Sequence, residues 1–336
     1  MRSATCSANP ASAPPPRLVG IARLAAESPQ VRERAEVEYF ALESRSALNR
    51  ESSGRLPFAW TLNPYRGCEF GCKYCYARYT HEFMELKDGL DFERKIYAKV
   101  TAPERLREEI RQAKDKGLPI ALGTATDPYQ PAEKQFEITR RMLEALAEFT
   151  GLDFSITTKG VLILRDLDLL RGISGKHRFS VHMTVTTTDA RLARLLEPKA
   201  PPPAKRLEGV RALAEAGIRV GVNAMPILPG LTDSPAALEE LARRASESRA
   251  QFLYGNVLFL KPSAMSQFMP FLEREFPLLA RRYRKLYASS AYLRGEYPER
   301  MMKLVQALRS RYGLEGRRED ASPHARDPQL ALQFGE

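Results

Sequence analysis

Three of the four cysteines in this 336-residue chain lie within eight residues, at Cys68, Cys72 and Cys75. Thiolates separated by three and then two residues can turn towards one side of a tight loop. Gly67 and Gly71 give that loop backbone conformations that a side chain would forbid. A 4Fe–4S cluster held by three cysteines leaves one iron open to a small molecule, whereas electron-transfer clusters normally have four protein ligands. The spacing therefore predicts a metal-binding loop with three cysteine ligands.

Other uses of these cysteines are chemically allowed. Tetrahedral zinc could be bound by the three thiolates together with His81. A disulfide framework agrees poorly with the sequence, because the clustered cysteines are odd in number and a chain of this length does not need covalent cross-links. Cys6 lies in a segment rich in Ala, Ser, Pro and Arg, so we do not expect it to be a fourth ligand. A cluster and a zinc ion are both compatible with the loop alone.

Composition limits the class of protein. With 43% hydrophobic residues the chain can bury a large core, and no apolar run approaches the roughly 20 residues of a transmembrane helix. We therefore expect a soluble protein without membrane contact. Its net charge of +11 favours an anionic partner such as nucleic acid, although many charges alternate in sign along predicted helices. Clustered free thiols are typical of a reducing compartment, which predicts a cytoplasmic location.

Short β-type runs alternate with helical segments along most of the chain, a pattern that predicts parallel strands with right-handed crossovers. Because a closed barrel has eight such units, six predict an α/β fold with an open, partial (β/α)6 TIM-like barrel. The expected strands are 58–63, 120–124, 154–158, 178–185, 219–225 and 252–258. The expected helices between and after them include 133–149, 164–171, 204–216, 235–248 and 263–275.

The rest of the chain is expected to be arranged around this barrel. The cysteine loop directly follows the first strand, and loops at the carboxyl ends of barrel strands carry the chemistry of such enzymes. Both termini lack apolar periodicity, which predicts disorder there. The predicted order is a disordered tail at 1–35, a lead-in segment at 36–56, the barrel at 57–275, a helical C-terminal extension at 276–315 and a disordered tail at 316–336.

The Cys-x3-Cys-x2-Cys spacing, with Tyr74 before the last cysteine, resembles the radical S-adenosylmethionine (radical SAM) superfamily. The segments Asn63-Pro-Tyr-Arg-Gly-Cys68 and Tyr74-Cys-Tyr-Ala-Arg78 resemble, more narrowly, its spore photoproduct lyase-like branch. The resemblance implies a 4Fe–4S cluster on the three cysteines, whose open iron chelates S-adenosylmethionine (SAM). It also implies reductive cleavage of SAM to a 5′-deoxyadenosyl radical that abstracts hydrogen from the substrate, with an electron donor such as flavodoxin or ferredoxin.

The same resemblance implies which residues contact SAM. Thr124 lies where family members carry a glycine-containing SAM motif, and the pair Lys159 and Ser180 is similar in kind and separation to a SAM-binding pair of the branch. A segment resembling one found in many radical SAM barrels follows Met225. Each position also has a structural explanation, as a turn, a surface lysine or an ordinary strand residue. The residues predicted to bind the cofactor are Tyr74, Thr124, Lys159, Ser180, Asn223 and Met225.

The chain departs from that branch in one respect. Spore photoproduct lyase returns a hydrogen atom from a cysteine outside the cluster motif, and no cysteine follows Cys75 here. No catalytic residue can therefore be assigned, although Tyr74, Tyr76, Tyr129 and Tyr254 are candidate hydrogen donors. The substrate stays open between an unidentified molecule and a DNA lesion repaired by a lyase, while a zinc- or cluster-binding nucleic-acid module without catalysis is a different alternative. For nucleic acid, the expected phosphate contacts are Arg78, Lys199, Lys205 and Arg206.

Overall fold

The computed structural model describes residues 18–34, 36–51, 56–86, 88–112 and 119–316. The strands in these ranges are β1 (Gln30–Arg34), β2 (Val37–Leu42), β3 (Leu48–Arg50), β4 (Trp60–Leu62), β5 (Tyr65–Arg66), β6 (Lys95–Lys99), β7 (Ile120–Leu122), β8 (Asp153–Thr158), β9 (Arg178–Thr184), β10 (Val220–Ile227) and β11 (Leu253–Val257). The helices are α1 (Gly20–Glu27), α2 (Tyr79–Glu82), α3 (Asp91–Arg94), α4 (Ala102–Gln112), α5 (Glu133–Phe136), α6 (Ile138–Ala147), α7 (Leu167–Ser174), α8 (Ala190–Leu196), α9 (Pro203–Glu215), α10 (Pro235–Glu247), α11 (Pro262–Glu275), α12 (Pro277–Leu286) and α13 (Glu296–Arg311).

A seven-stranded sheet with the order β11-β10-β9-β8-β7-β4-β3 forms the centre of the molecule. The six strands from β11 to β4 pair in parallel, and β3 adds an antiparallel strand at the edge. Helices connect the parallel strands, as right-handed crossovers require. The predicted α/β fold with six parallel barrel strands is confirmed.

A second sheet has four strands in the order β1-β2-β6-β5, and its strands β1, β2 and β5 were not predicted from the sequence. The prediction of a disordered tail at 1–35 is wrong for residues 18–34, which form α1 and β1. Strand β1 pairs along β2 at the edge of this sheet, and its described side chains are exposed, so it has no apolar alternation by which to recognise it. Residues 1–17, 35 and 317–336 of the two predicted tails lie outside the described residues.

Helix boundaries follow local chemistry. Four helices, α9 to α12, begin with a proline. Proline lacks a backbone N–H, but an N–H at the first helical position would have no acceptor within the helix, so no hydrogen bond is lost. The single helix predicted at 133–149 is instead two helices, because Glu137 adopts a left-handed conformation with a φ of 50°. The Glu133 carboxylate accepts hydrogen bonds from the backbone N–H groups of Thr139 and Arg140 and so caps the second helix.

Apolar side chains of the helices and parallel strands form the main core. Helix α6, for example, buries Ile138, Met142, Leu143 and Leu146 on one face, as its helical periodicity predicts. Across the described part of the chain, none of the helices combines the length and the apolar character needed to span a membrane.

Candidate functional site

The cysteine loop begins directly after β5, and backbone contacts fix its course. The Cys68 N–H donates to the Phe92 carbonyl at 2.8 Å, and the Lys73 N–H donates to the Leu196 carbonyl at 2.9 Å. Gly67 has a φ of 82°, and a Cβ at this position would lie 2.7 Å from the Lys95 carbonyl oxygen. Any larger residue would force this crossing apart, so a glycine is required before the first cysteine.

A second loop, residues 123–131 after β7, holds the cysteine loop from the other side. The Thr126 hydroxyl donates to the Gly67 carbonyl at 2.6 Å, and the Gln130 amide nitrogen donates to the same oxygen at 3.1 Å. The Gln130 side-chain oxygen accepts the Glu69 N–H at 2.9 Å. Asn63 joins the two loops as well, since its side-chain oxygen accepts the Ala125 N–H at 2.8 Å. The carboxyl ends of β4 and β7 therefore form one bonded unit.

Arg78 is a structural clamp on the cysteine loop. Its guanidinium donates to the carbonyls of Cys72 at 3.1 Å and Gly89 at 2.6 Å, and it forms an ion pair with Glu93 at 3.2 Å. The residue is buried, so the prediction that Arg78 contacts phosphates is wrong. From the sequence, an arginine beside a polar loop is expected to lie on the surface. The carbonyls that surround Arg78 come from segments that only the folded structure brings together.

The three cysteine thiols line one cavity of about 1940 Å³. Burial is the main cause that raises the pKa of the Cys68 thiol, and it also raises the pKa of Cys72 to about 12, against the opposing effect of Lys159. Metal-bound cysteine is a thiolate, so a bound metal centre would have to supply the positive charge that stabilises it here.

The described residues also bear on the kind of metal centre. Within them, no group of three or more His, Cys, Asp or Glu side chains is gathered closely enough to hold a single metal ion. Cysteines on a 4Fe–4S cluster bind different iron atoms and therefore stand further apart than ligands that share one ion. Three free thiols on one loop match the donor set of a 4Fe–4S cluster that keeps one iron open.

His81 does not complete a zinc site with the cysteines. Its Nε2 lies 3.1 Å from the Lys95 carbonyl oxygen, and its ring packs edge-on against Phe92 with ring centroids 5.1 Å apart. Burial is the main cause that lowers the pKa of His81 to about 4, so the ring is neutral at physiological pH. His81 is not among the residues that line the cavity.

Lys159 extends into the cavity from the end of β8, and Asp127 fixes its backbone. The Asp127 carboxylate accepts the Lys159 N–H at 2.7 Å and the Thr158 hydroxyl at 2.6 Å. The Lys159 ammonium lies 5.9 Å from the centre of the Tyr74 ring, and no carboxylate of the described residues is bonded to it. Burial acts to lower the pKa of Lys159, but the neighbouring Cys72 and Glu197 outweigh it and raise that pKa. The side chain is a positive charge beside the cysteine loop.

A buried network of hydrogen bonds and one ion pair holds Tyr74 of the cysteine loop. The Tyr74 hydroxyl lies 3.0 Å from the Thr186 hydroxyl and donates to the Glu197 carboxylate. Glu197 pairs with Arg206 at 2.5 Å, and both side chains are only 1% exposed. Burial would raise the pKa of Glu197, but Arg206 and Lys159 together hold it below its usual range. The predicted phosphate contact of Arg206 is therefore wrong, and the network itself was not predicted.

The other residues predicted to bind the cofactor line the same cavity. Thr124 accepts a hydrogen bond from the Asn63 amide at 3.1 Å, and Ser180 lies 3.2 Å from His182 Nε2. His182 Nδ1 lies 3.4 Å from the Asn223 side-chain oxygen. All six predicted residues and all three cysteines face this single cavity: Tyr74, Thr124, Lys159, Ser180, Asn223, Met225, Cys68, Cys72 and Cys75.

Polar side chains of β8 and β9 face the inside of the barrel. Ser155 pairs with Ser180 and Thr157 with His182 in neighbouring strands, and these side chains line the cavity. A closed TIM barrel fills the same positions with branched apolar side chains. Among the candidate hydrogen donors, Tyr129 is buried away from the cavity and donates to Asp166 at 3.2 Å, whereas the other three tyrosines line it. The interior can therefore hold a polar ligand.

Comparisons with known proteins identify relatives across most of the chain. The model of the radical SAM superfamily matches residues 62–244. An uncharacterised protein of Mycobacterium tuberculosis is 36% identical over 290 residues, which cover 86% of this chain and 85% of that protein. An uncharacterised protein of Methanocaldococcus jannaschii is 30% identical over 244 residues, which cover 72% of this chain and 85% of that protein.

Solved structures of spore photoproduct lyase share the fold. The lyase complexed with dinucleoside spore photoproduct has a TM-score of 0.58 and 14% identity, covering 82% of this chain and 79% of that one. A mutant with bound AdoMet and the same photoproduct has a TM-score of 0.58 and 12% identity, covering 86% of each chain. At such identities the likeness concerns the fold, while the family follows from the sequence matches. The chain belongs to the radical SAM superfamily and has a spore photoproduct lyase-like fold.

Proposed function

We propose that this radical SAM enzyme binds one 4Fe–4S cluster through Cys68, Cys72 and Cys75, binds SAM beside it and acts on a substrate inside the barrel. The observation that carries the proposal is that one cavity receives the three thiols together with every residue predicted to contact SAM. When bound, such a cluster supplies the electron that cleaves SAM to a 5′-deoxyadenosyl radical able to abstract hydrogen. A small electron donor such as flavodoxin or ferredoxin and a reducing compartment, the cytoplasm, suit this chemistry.

The chain's own residues bind and orient the cofactor in this proposal. Lys159 has an ammonium without a bonded carboxylate in the described structure and would bind the carboxylate of SAM. The Ser180 hydroxyl and the Asn223 amide can donate to the ribose, while Met225 offers an apolar contact to the adenine. Thr124 is bonded to Asn63, which precedes the cysteine loop, and would contact the amino-acid end of SAM. In this proposal the barrel binds and orients the reacting groups, while the cofactor carries the radical chemistry.

Anaerobic reconstitution tests the proposal directly. With iron and sulfide we expect a brown protein with roughly four iron atoms per chain and absorption near ~400 nm, as a 4Fe–4S cluster requires. Under dithionite it should cleave SAM to 5′-deoxyadenosine and methionine. A colourless protein that retains zinc and leaves SAM intact would contradict the proposal and favour the zinc module.

Lys159→Met tests the SAM contact. We expect SAM binding to weaken by about 1.5–3 kcal/mol, because a charged hydrogen bond is lost, while iron content and colour stay unchanged. Isothermal titration of the reconstituted protein with SAM measures the difference. Lys199→Met is the matched control, since Lys199 is exposed and its backbone N–H lies against the same loop, 3.3 Å from the Phe70 carbonyl. An unchanged SAM dissociation constant in Lys159→Met would return Lys159 to the role of a structural residue.

DNA lesion repair by a lyase is the second candidate, and one observation favours it. At the cavity, the Arg219 guanidinium lies 5.1 Å from the Phe252 ring centre and the Arg309 guanidinium 5.2 Å from that of Tyr254. Cations beside aromatic rings suit stacked bases and phosphates. Two facts weigh against this candidate: Arg78 and Arg206 are buried, and no cysteine follows Cys75 to return a hydrogen atom. Tighter binding of ultraviolet-irradiated than of intact duplex would favour it, and equal binding would count against it.

A further inference from the structure

Two cationic side chains, Arg66 and Lys99, lie next to each other on the four-stranded sheet, in the wall of the cavity. Strand β5 runs antiparallel to β6, and Arg66 is directly opposite Tyr97. Lys99, two residues beyond Tyr97, is therefore the diagonal neighbour of Arg66 on the same face of the sheet, within reach of a long side chain. Both residues line the cavity that contains the cysteine thiols.

Neither cation has an anionic partner among the described residues. Lys99 is only 6% exposed, yet its ammonium forms no hydrogen bond or ion pair there. The Arg66 Nε is buried and has no hydrogen-bond partner. The carboxylate that acts on Lys99, Glu109, already accepts the backbone N–H groups of Ala47 at 3.1 Å and Leu48 at 2.8 Å. Among the described residues, neither positive charge is therefore bonded to a carboxylate.

Buried charges in proteins are normally paired, because the loss of hydration costs several kcal/mol for each ion. Two other buried cations of this region follow the rule, since Arg78 pairs with Glu93 and Arg206 with Glu197. Lys99 has no such pair among the described residues. Burial is the main cause that lowers the pKa of Lys99 to about 7, and the nearby positive charge of Arg66 lowers it further. An anion that enters the cavity would remove this penalty.

We propose that Arg66 and Lys99 bind a phosphate monoester group of the substrate. The inference rests on the proposed function in one respect, namely that the cavity is the substrate site. Two cations call for about two negative charges, which a phosphate monoester carries near neutral pH, whereas a carboxylate or an internal phosphodiester carries one. Arginine offers a planar fork of donors to phosphate oxygens, and lysine adds a compact charge.

The position of this site would orient the substrate. Arg66 precedes Cys68 by two residues, so their Cα atoms are at most about 7 Å apart. The aromatic rings of Tyr79 and Phe92 line the cavity as well. A phosphate held by Arg66 and Lys99 would therefore place the attached part of the substrate beside the cysteine loop.

Phosphate binding can be measured without cluster or SAM, on the full chain kept reduced and free of iron. Inorganic phosphate is the probe, by calorimetric titration and by the shift of the unfolding temperature that a ligand of the native state causes. We expect Lys99→Met and Arg66→Gln each to raise the phosphate dissociation constant about tenfold or more. Lys303→Met is the control, because it removes an exposed lysine that lines the same cavity, and should bind phosphate as the wild type does. Equal binding by Lys99→Met and wild type would overturn the site.

Two further measurements keep the test decisive. Without phosphate, Lys99→Met should unfold at the same or a higher temperature than the wild type, because an uncompensated buried charge is removed; a clear decrease would show that Lys99 has a structural partner and would overturn the inference. Dimethyl phosphate and acetate should bind about tenfold or more weakly than phosphate. Equal binding of dimethyl phosphate would overturn the monoester and indicate a nucleic-acid backbone, and equal binding of acetate would indicate a carboxylate.

The outcome is separable from that of the proposed function. Phosphate binding with no SAM cleavage after reconstitution would reject the radical SAM proposal while the anion site stands. SAM cleavage without phosphate binding would reject the anion site alone.

Discussion

Replacement of Cys68, Cys72 or Cys75 by alanine is expected to abolish cluster binding after reconstitution. The three thiols of this loop are the only cysteines among the described residues. A variant with two of them leaves a second iron of the cluster without a protein ligand. Iron content should fall from about four atoms per chain to background, with loss of absorption near ~400 nm. SAM cleavage should fall below detection in all three variants.

Cys6→Ala is the matched control for these variants. Cys6 lies outside the described residues, and its sequence context does not favour a ligand. We expect its iron content, spectrum and SAM cleavage to equal those of the wild type. Loss of the cluster in Cys6→Ala, or its retention in any of the three loop variants, would contradict the assignment of ligands.

Glu197→Ala is expected to destabilise the protein by about 3–5 kcal/mol, because it leaves the Arg206 guanidinium buried without its counter-ion. The Tyr74 hydroxyl also loses its acceptor in this variant. Denaturant unfolding of the iron-free chain measures the change. The pKa of Glu197 lies below its usual range, so its stabilising effect is present above that range and is lost as the pH falls through the folded-state value.

Two variants separate this effect from a general effect of charge. Glu208→Ala breaks the exposed pair with Lys205, whose side chains are 64% and 62% exposed, and should change the unfolding free energy by less than about 1 kcal/mol. The double variant Glu197→Leu with Arg206→Met should recover much of the loss, because no unpaired charge stays buried. If Glu197→Ala lowers the free energy of unfolding as little as Glu208→Ala does, the buried pair of Glu197 and Arg206 does not stabilise the protein.

The parallel barrel could be predicted because its strands and helices alternate in the sequence with clear boundaries. Thr124 and Lys159 could be placed at one edge because each follows the carboxyl end of a parallel strand, and such ends meet at one edge. Ser180 lies near the start of β9, and its pairing with Lys159 came from the family resemblance. What could not be predicted depends on contacts between distant segments. Strand β1 has no apolar alternation, and the break at Glu137 needs a left-handed residue that no local signal announces.

The buried arginines show the same limit more sharply. In the sequence, Arg78 and Arg206 look like residues of a basic surface. Only the folded structure surrounds them with carbonyls and carboxylates. Lys99 is a basic residue of the same kind, yet in the described part of the chain it has no such partner, so sequence cannot tell a structural cation from a ligand-binding one. The presence or absence of a carboxylate within reach is the property that separates them.

The bonds between the cysteine loop and residues 123–131 have a consequence for the order of events during synthesis. Thr126 and Gln130 reach the Gly67 carbonyl across sequence separations of 59 and 63 residues. At typical translation rates these residues leave the ribosome about 3–12 s after the cysteines, so the thiols emerge before the loop that shapes them. Iron and sulfide delivered in that interval would meet an unshaped peptide. Cluster insertion should therefore follow the pairing of β4 with β7, and a nascent chain that ends before residue 120 should not retain iron.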